Sequence, residues 1–178
     1  AVEKAREGDV VSVVSFDDTA KVEVPPTVIS AETRGPVERS IRSIRLGGST
    51  CISCGLETSL QTMLRTREGD ASVHRMVLLS DGAANIGVRD VPGLRAIAGR
   101  FRDKGVPIST VGVDLDFDEK VMTAIANESN GKHYFVANAS NLPGIFAQEF
   151  DSAVAAVAKD AELAVDLAAD VVVEEVFD

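Results

Sequence analysis

The sequence predicts a doubly wound α/β fold, in which a parallel sheet is covered by helices on both faces. Segments rich in Val, Ile and Leu alternate along the chain with segments whose apolar residues have helical spacing. The strand segments are continuous apolar runs rather than alternating ones, which is typical of strands buried on both faces of a parallel sheet. These two observations together favour a single α/β domain followed by a different tail.

Five elements are predicted in the first part of the chain. A helix at the start of the chain ends near Gly8, the run VVSVVSF is a buried strand, and the alternating AKVEVP is a second strand after a turn. The segment PPTVISAETRGP is predicted to be a loop, and a proline at a helix start opens PVERSIRSIR. In residue numbers these are a helix to 8, strands 10–16 and 20–25, a loop 25–36 and a helix 36–45.

The second part alternates more regularly. Helices are predicted at 50–64, 91–105, 117–131 and 141–159, and strands at 74–81, 106–114 and 132–137. Residues 160–178 break this rhythm, because their apolar residues alternate as they do in a half-buried strand. We therefore predict one domain over residues 1–159 and a β-type tail over 160–178 that is the possible start of a second domain.

Composition narrows the possible functions. The chain has 178 residues, of which 45% are hydrophobic and 26% charged, as expected of one globular domain. Its net charge of −10 argues against nucleic acid or an anionic membrane as the main partner. Cations and basic proteins remain compatible with this acidity, which is also a common route to solubility. No apolar run approaches the ~20 residues of a membrane span, so we expect no membrane insertion in this segment.

Two polar residues are predicted to meet where ligands bind in such folds, beyond the carboxyl ends of the strands. Asp81 ends the buried strand MVLLS, and Thr50 starts a helix just after the turn at Gly47 and Gly48. A hydroxyl and a carboxylate without a histidine suit a hard divalent cation such as Mg²⁺ better than Zn²⁺.

Two motifs carry a resemblance to a known family. GGSTCISCGL, followed about 25 residues later by VLLSDG, resembles the von Willebrand factor A (VWA) family, where a glycine-rich turn delivers a Thr and a strand end delivers an Asp. The segments REGDVVSVVSFDDTAKVEVPPT and VPISTVGVDLDFDEKVMTAIANESNGKHYFVANASNLPGIFAQEF are also similar to that family, so the resemblance covers about residues 1–158. It implies a Rossmann-like, mostly parallel sheet with one antiparallel edge strand.

The resemblance also implies a function. Thr50 and Asp81 match residues of the family's metal-ion-dependent adhesion site (MIDAS), with Thr50 binding directly or through water and Asp81 through water. Gly48 and Ser49 would shape the turn, and Gly82 would let the backbone pass close to the metal. The implied cofactor is Mg²⁺, or Mn²⁺ or Ca²⁺, and the implied partner is a protein that supplies an acidic residue. By this resemblance the chain is an adhesion module and not an enzyme.

One departure from the family pattern leaves the metal site incomplete. The family's first strand ends in Asp-x-Ser-x-Ser, which supplies most of the direct ligands, and no such motif follows a strand here. We expect that strand to precede Ala1 and the natural chain to continue upstream. A metal-free structural scaffold is therefore an alternative function.

Cys51 and Cys54 offer another alternative. A Cys-x-x-Cys pair at the start of a helix is typical of redox sites, because the helix amino terminus lowers the pKa of a thiol. The strand and proline context of a thioredoxin-like protein is missing, and two thiolates are only half a zinc site. We favour two free cysteines packed against the sheet. A labile disulfide in a redox-active or redox-sensed module stays open as the alternative.

Overall fold

The structure, a computed structural model, describes residues 2–45, 47–65, 73–114 and 117–154. The predicted tail at 160–178 and the domain boundary at 159 lie outside this part of the chain. In chain order the described elements are β1 (Val10–Phe16), β2 (Ala20–Val28), α1 (Arg34–Arg42), α2 (Ile52–Leu64), β3 (Met76–Ser80), α3 (Val91–Arg102), β4 (Ile108–Val113), α4 (Glu119–Glu128), β5 (His133–Val136) and α5 (Leu142–Val154).

The strands form a parallel sheet and an antiparallel pair. β3, β4 and β5 lie side by side in that order, with Met76 opposite Ile108 and Thr110 opposite His133. β1 and β2 form an antiparallel hairpin, which makes no strand pairing with the parallel sheet within the described residues. Helix α2 packs against both the hairpin and the parallel sheet, because it contacts both hairpin strands and shares an apolar core with the parallel sheet.

Helices cover both faces of the parallel sheet, as the sequence predicted. On one face Leu78 and Ile108 pack into a core with apolar residues of α2, α3 and α4. On the other face Val111 and Val136 pack against Ile145 of α5. Successive strand residues therefore point to opposite apolar layers, which explains why the strands are continuous apolar runs.

Polar side chains determine where two of these helices begin. Asp90 accepts a hydrogen bond from the Gly93 amide at 2.9 Å, and Asp118 accepts one from the Val121 amide at 3.0 Å. Each satisfies a backbone donor that the first helical turn leaves free. None of the helices in the described ranges is long and apolar enough to cross a membrane.

Two predictions for the first part of the chain are wrong. The predicted opening helix is only a 3₁₀ turn, Val2–Lys4. The predicted loop 25–36 is too long, because β2 continues through its two prolines to Val28 and α1 already begins at Arg34. The prolines are tolerated because they lie opposite Ser12, where the register with β1 shifts and a ladder hydrogen bond is not required.

Candidate functional site

Thr50 lies where three segments meet. It directly precedes Cys51, the N-cap of α2, so the helix begins two residues later than predicted. The Thr50 amide donates to the Asn85 side-chain oxygen at 2.8 Å, and the Thr50 carbonyl accepts from the Asn85 amide at 3.0 Å. The Cys51 amide donates to the carbonyl of Asp17, just after β1, at 2.8 Å. These bonds hold Thr50 against the loop that follows β3.

The same bonds bring Thr50 to the end of β3. A methyl group added at Gly82 would lie 3.6 Å from the Thr50 hydroxyl oxygen, so the two residues are near neighbours. Asp81 is exposed and follows the last residue of β3. The turn there is fixed by Ser80, whose hydroxyl donates to the Gly82 carbonyl at 2.8 Å. We call this end of the parallel sheet, where β3, β4 and β5 finish, the carboxyl edge.

Both side chains at this edge have free oxygen atoms. Within the described residues, neither the Thr50 hydroxyl nor the Asp81 carboxylate makes a hydrogen bond or an ion pair. Hydroxyl and carboxylate oxygens are donors that Mg²⁺ and Ca²⁺ accept, but such ions take about six or more oxygen ligands. In the described ranges no group of three or more His, Cys, Asp or Glu side chains could hold a metal ion. The donors fit a hard cation in kind but are too few to surround one.

The glycine turn before Thr50 has one crowded and one open position. A methyl group at Gly47 would collide with the Asp17 side chain, whereas one at Gly48 would meet nothing within 4 Å. Ser49 is partly exposed in the same turn. The close packing that requires a glycine is therefore at Gly47, one residue before the predicted Gly48.

Two further acidic residues directly follow strands, and one of them, Asp17, was not predicted from the sequence. Asp17 follows β1, and its side chain lies beside the Gly47 turn. Asp114 follows β4, is exposed, and has a left-handed backbone with a φ of 66°. The pattern that identified Asp81, a carboxylate directly after an apolar strand, could have identified Asp17.

Cys51 and Cys54 form a disulfide. The preferred expectation of two free core thiols is therefore wrong, and the disulfide of the alternative is confirmed, while its lability and redox role stay a prediction. The bond forms because Cys51 is the N-cap and Cys54 lies in the first helical turn, which places their Cα atoms 5.3 Å apart. Cys51 is fully buried, with 0% of its surface exposed, while Cys54 is partly exposed.

The disulfide is packed against the loop after β3. Ser53, between the two cysteines, accepts a hydrogen bond from the Val88 amide at 3.0 Å, and its hydroxyl lies 3.6 Å from the Cys51 sulfur. A methyl group at Gly87 would collide with Ser53 and lie 2.8 Å from the Cys51 sulfur. The φ of +73° at Gly87 also favours glycine. The loop therefore rests directly on the disulfide turn.

A second polar cluster lies at the opposite, amino edge of the parallel sheet, where β3, β4 and β5 begin. Glu149 of α5 is only 3% exposed and accepts hydrogen bonds from Ser109 at 2.8 Å and Tyr134 at 2.7 Å. Its carboxylate also pairs with Arg75 at 3.5 Å. Burial, together with the hydrogen bond to Glu149, raises the pKa of Tyr134 to about 12, so its hydroxyl stays a donor.

Comparison with known proteins identifies the family. The sequence model of the von Willebrand factor type A domain matches residues 2–148. The chain belongs to this family. VWA domains are commonly protein-interaction modules and are typically not enzymes.

The chain is also similar to particular VWA proteins. It is 27% identical over 162 residues to protein YfbK of Escherichia coli (strain K12), a match that covers 89% of this chain and 27% of YfbK. The VWA structure from Catenulispora acidiphila superposes with a TM-score of 0.76 at 15% identity, covering 85% of this chain and 35% of that one. The chain spans 27% and 34% of the length of two curated relatives that it matches.

One structural relative contains a metal at its MIDAS motif. Proximal thread matrix protein 1 from the mussel byssus, with a zinc-occupied MIDAS motif, has a TM-score of 0.64 at 20% identity. The match covers 84% of this chain and 37% of that one. At such identities these structures establish the fold of this chain, and the zinc is a property of the mussel protein.

Proposed function

We propose that this chain is a non-enzymatic protein-interaction module that binds a carboxylate of its partner through a divalent cation at the carboxyl edge. The observation that carries the proposal is the pair of free oxygen donors, the Thr50 hydroxyl and the Asp81 carboxylate, on adjoining segments of that edge. A polar group at a ligand-binding edge that folding leaves free is available for a ligand. The proposed cation is Mg²⁺, with Mn²⁺ and Ca²⁺ as alternatives.

Each residue near the site has a proposed role. Thr50 supplies a neutral oxygen and Asp81 a negative one, while Gly48, Ser49 and Gly82 form the turns that carry them. Asn85 fixes the Thr50 backbone through its two hydrogen bonds, so that the hydroxyl does not have to be ordered when the cation arrives. The bound cation would supply an electrophilic position for the partner's carboxylate.

The two protein oxygens fill only part of the coordination sphere of the proposed cation. Two oxygens leave most of the about six positions of Mg²⁺ to water, to groups beyond the described residues and to the partner. A net charge of −10 would by itself repel an acidic partner, so a cation between the two surfaces would also offset that repulsion.

The test is a titration of the intact protein with Mg²⁺ by calorimetry and with Mn²⁺ by electron paramagnetic resonance. Thr50→Val removes the hydroxyl at nearly constant shape, and Asp81→Asn removes the charge. We expect each to weaken cation binding by about tenfold or more, which corresponds to ~1.4 kcal/mol. Asp151→Asn, an exposed change on α5, is the control for the lost charge and should bind as the native protein does. Equal affinities in all four proteins would refute the proposal and favour a metal-free scaffold.

A further inference from the structure

We propose that the Cys51–Cys54 disulfide is a thiol–disulfide exchange site, opened by a dithiol reductant that attacks Cys54. We further propose that its opening loosens the contact between Thr50 and the loop after β3. Because Thr50 belongs to the proposed cation site, any effect of this loosening on cation binding rests on the proposed function.

The two sulfur atoms differ in accessibility, which determines the direction of attack. Cys51 is fully buried, while Cys54 is partly exposed on the first turn of α2. An incoming thiolate must approach the sulfur that it attacks along the S–S bond, and of the two residues only Cys54 has exposed surface. Attack at Cys54 therefore makes Cys51 the leaving group.

The surroundings of Cys51 favour it as a leaving group. Its sulfur accepts a hydrogen bond from the Cys54 amide at 3.3 Å and lies 3.6 Å from the Ser53 hydroxyl. It is also the N-cap of a 13-residue helix, where the backbone dipoles stabilise negative charge. A thiolate stabilised in this way leaves faster than an ordinary one.

The exchange balances with the dithiol as the reductant. One thiolate of the reductant bonds to the Cys54 sulfur, and the electron pair of the Cys51–Cys54 bond passes to Cys51. The second thiol of the reductant then attacks the mixed disulfide and releases Cys54. Two electrons and two protons pass to the protein, which gains two thiols, and the reductant becomes a disulfide.

The contacts of the disulfide turn transmit this change to the carboxyl edge. The bond closes a short ring that contains Ser53, the acceptor of the Val88 amide. The Gly87 backbone packs against the Cys51 sulfur itself. Cys51 directly follows Thr50, whose carbonyl accepts the Asn85 amide. Opening the ring therefore loosens Ser53 and Thr50, the two residues that accept hydrogen bonds from the loop after β3.

Chemical labelling tests the exchange site. The intact protein is reduced with dithiothreitol without denaturant, desalted and treated with iodoacetamide, and labelling of each cysteine is followed by mass spectrometry. We expect complete reduction and labelling of Cys54 at about ten times the rate of Cys51 or faster, because the buried Cys51 is shielded from iodoacetamide whatever its thiolate character. A disulfide that resists dithiothreitol until the protein unfolds, or faster labelling of Cys51, would overturn the proposal.

Hydrogen exchange tests the transmission in the same samples. The amides of Asn85 and Val88 should exchange about tenfold faster in the reduced protein, because the acceptors that protect them are less well fixed. The amide of Val121, bonded to Asp118 at the start of α4, is the internal control and should not change. Cys54→Ser should exchange like the reduced protein and be insensitive to dithiothreitol. Identical exchange of Asn85 and Val88 in both redox states would overturn the coupling.

Cation titration of the two redox states separates this inference from the proposed function. We expect the oxidised protein to bind Mg²⁺ at least several-fold more tightly than the reduced protein. If neither form binds Mg²⁺, the proposed function fails, whereas labelling and hydrogen exchange still decide whether the exchange site exists. If both forms bind Mg²⁺ equally, the proposed coupling to the cation site is wrong.

Discussion

The two edges of the parallel sheet use their polar residues in opposite ways. At the amino edge Glu149 is buried, and its carboxylate has three partners in Ser109, Tyr134 and Arg75. At the carboxyl edge Asp81 is exposed, and it has no hydrogen bond or ion pair with another described residue. A buried carboxylate with a full set of partners is structural, whereas an exposed one without partners is available for a ligand.

The difference arises from what covers each edge. Helix α5 carries Glu149 onto the start of the strands, so folding itself brings the carboxylate and its donors together. At the carboxyl edge the loops bind one another through their backbones and through Asn85, which leaves the Thr50 and Asp81 side chains unused. Replacing residues at the two edges should therefore separate stability from binding.

The largest expected effect on stability is at the amino edge. Glu149→Ala leaves Arg75, Tyr134 and Ser109 without their shared acceptor in a buried site, and should lower the free energy of unfolding by about 3 kcal/mol. Glu149→Gln keeps one acceptor oxygen and should cost less. Urea unfolding measures both. Asp151→Ala on the exposed side of α5 is the control, and a loss no larger than in that control would show that the network is not structural.

Replacing a glycine at the carboxyl edge should give the next largest loss of stability. Gly87→Ala introduces a methyl group against Ser53 and the Cys51 sulfur at a left-handed φ of +73°, so we expect a loss of about 2 kcal/mol. Gly48→Ala is the matched control, because a methyl group there has open space, and it should be nearly neutral. If urea unfolding gives equal losses for both variants, the loop after β3 is not packed as described.

The smallest expected effect is on the pH dependence of the free energy of unfolding, and it comes from His133 at the start of β5. Thr110 gives its single hydroxyl proton to the Met122 carbonyl, so the Nδ1 of His133 donates to Thr110. The His133 Nε2 is buried and has no hydrogen-bond partner among the described residues. Desolvation lowers the pKa of His133, and Glu119 offsets only part of that effect.

The sign of this dependence follows from proton binding. The unfolded chain binds the proton of His133 more tightly than the folded chain does. Stability from this group is therefore complete above its ordinary pKa of 6.5 and is lost as the pH falls towards the lower folded value. His133→Gln should show a smaller loss of unfolding free energy than the native protein between about pH 7.5 and pH 5.5. The same loss in both proteins would contradict this assignment.

Much of the fold could be predicted because strands appear in the sequence as runs of apolar residues. The runs VVSVVSF and MVLLS are strands β1 and β3 at the predicted places, and no residue of β3 is exposed. The prediction that VVSVVSF is a buried strand is wrong: β1 has only partly buried and exposed residues, because within the described residues it pairs with β2 outside the parallel sheet. The Pro25–Pro26 pair misled the prediction of β2. Prolines normally end a strand, and the register shift opposite Ser12 that accommodates them is a tertiary feature.

The candidate site was only partly predictable. The proximity of Thr50 and the Asp81–Gly82 turn follows from the rule that strand ends and helix starts meet at one edge. Asn85 was missed because its role is a long-range hydrogen bond to Thr50, which no local pattern indicates. The disulfide was not preferred because the spacing alone does not tell whether Cys51 is the N-cap, the position that brings its sulfur to Cys54.

The most direct test of the contrast between the two edges is thermal unfolding of the intact protein with and without saturating Mg²⁺, for the native protein, Asp81→Asn and Asp151→Asn. A ligand that binds only the folded state stabilises it by mass action, by about 2.7 kcal/mol at a hundredfold excess over the dissociation constant. The account predicts that Mg²⁺ raises the melting temperature of the native protein and of Asp151→Asn equally. Asp81→Asn, which binds the cation at least about tenfold more weakly, should gain about half of that stabilisation or less. An equal Mg²⁺-induced shift in all three proteins, or none in any of them, would contradict a cation site at Asp81.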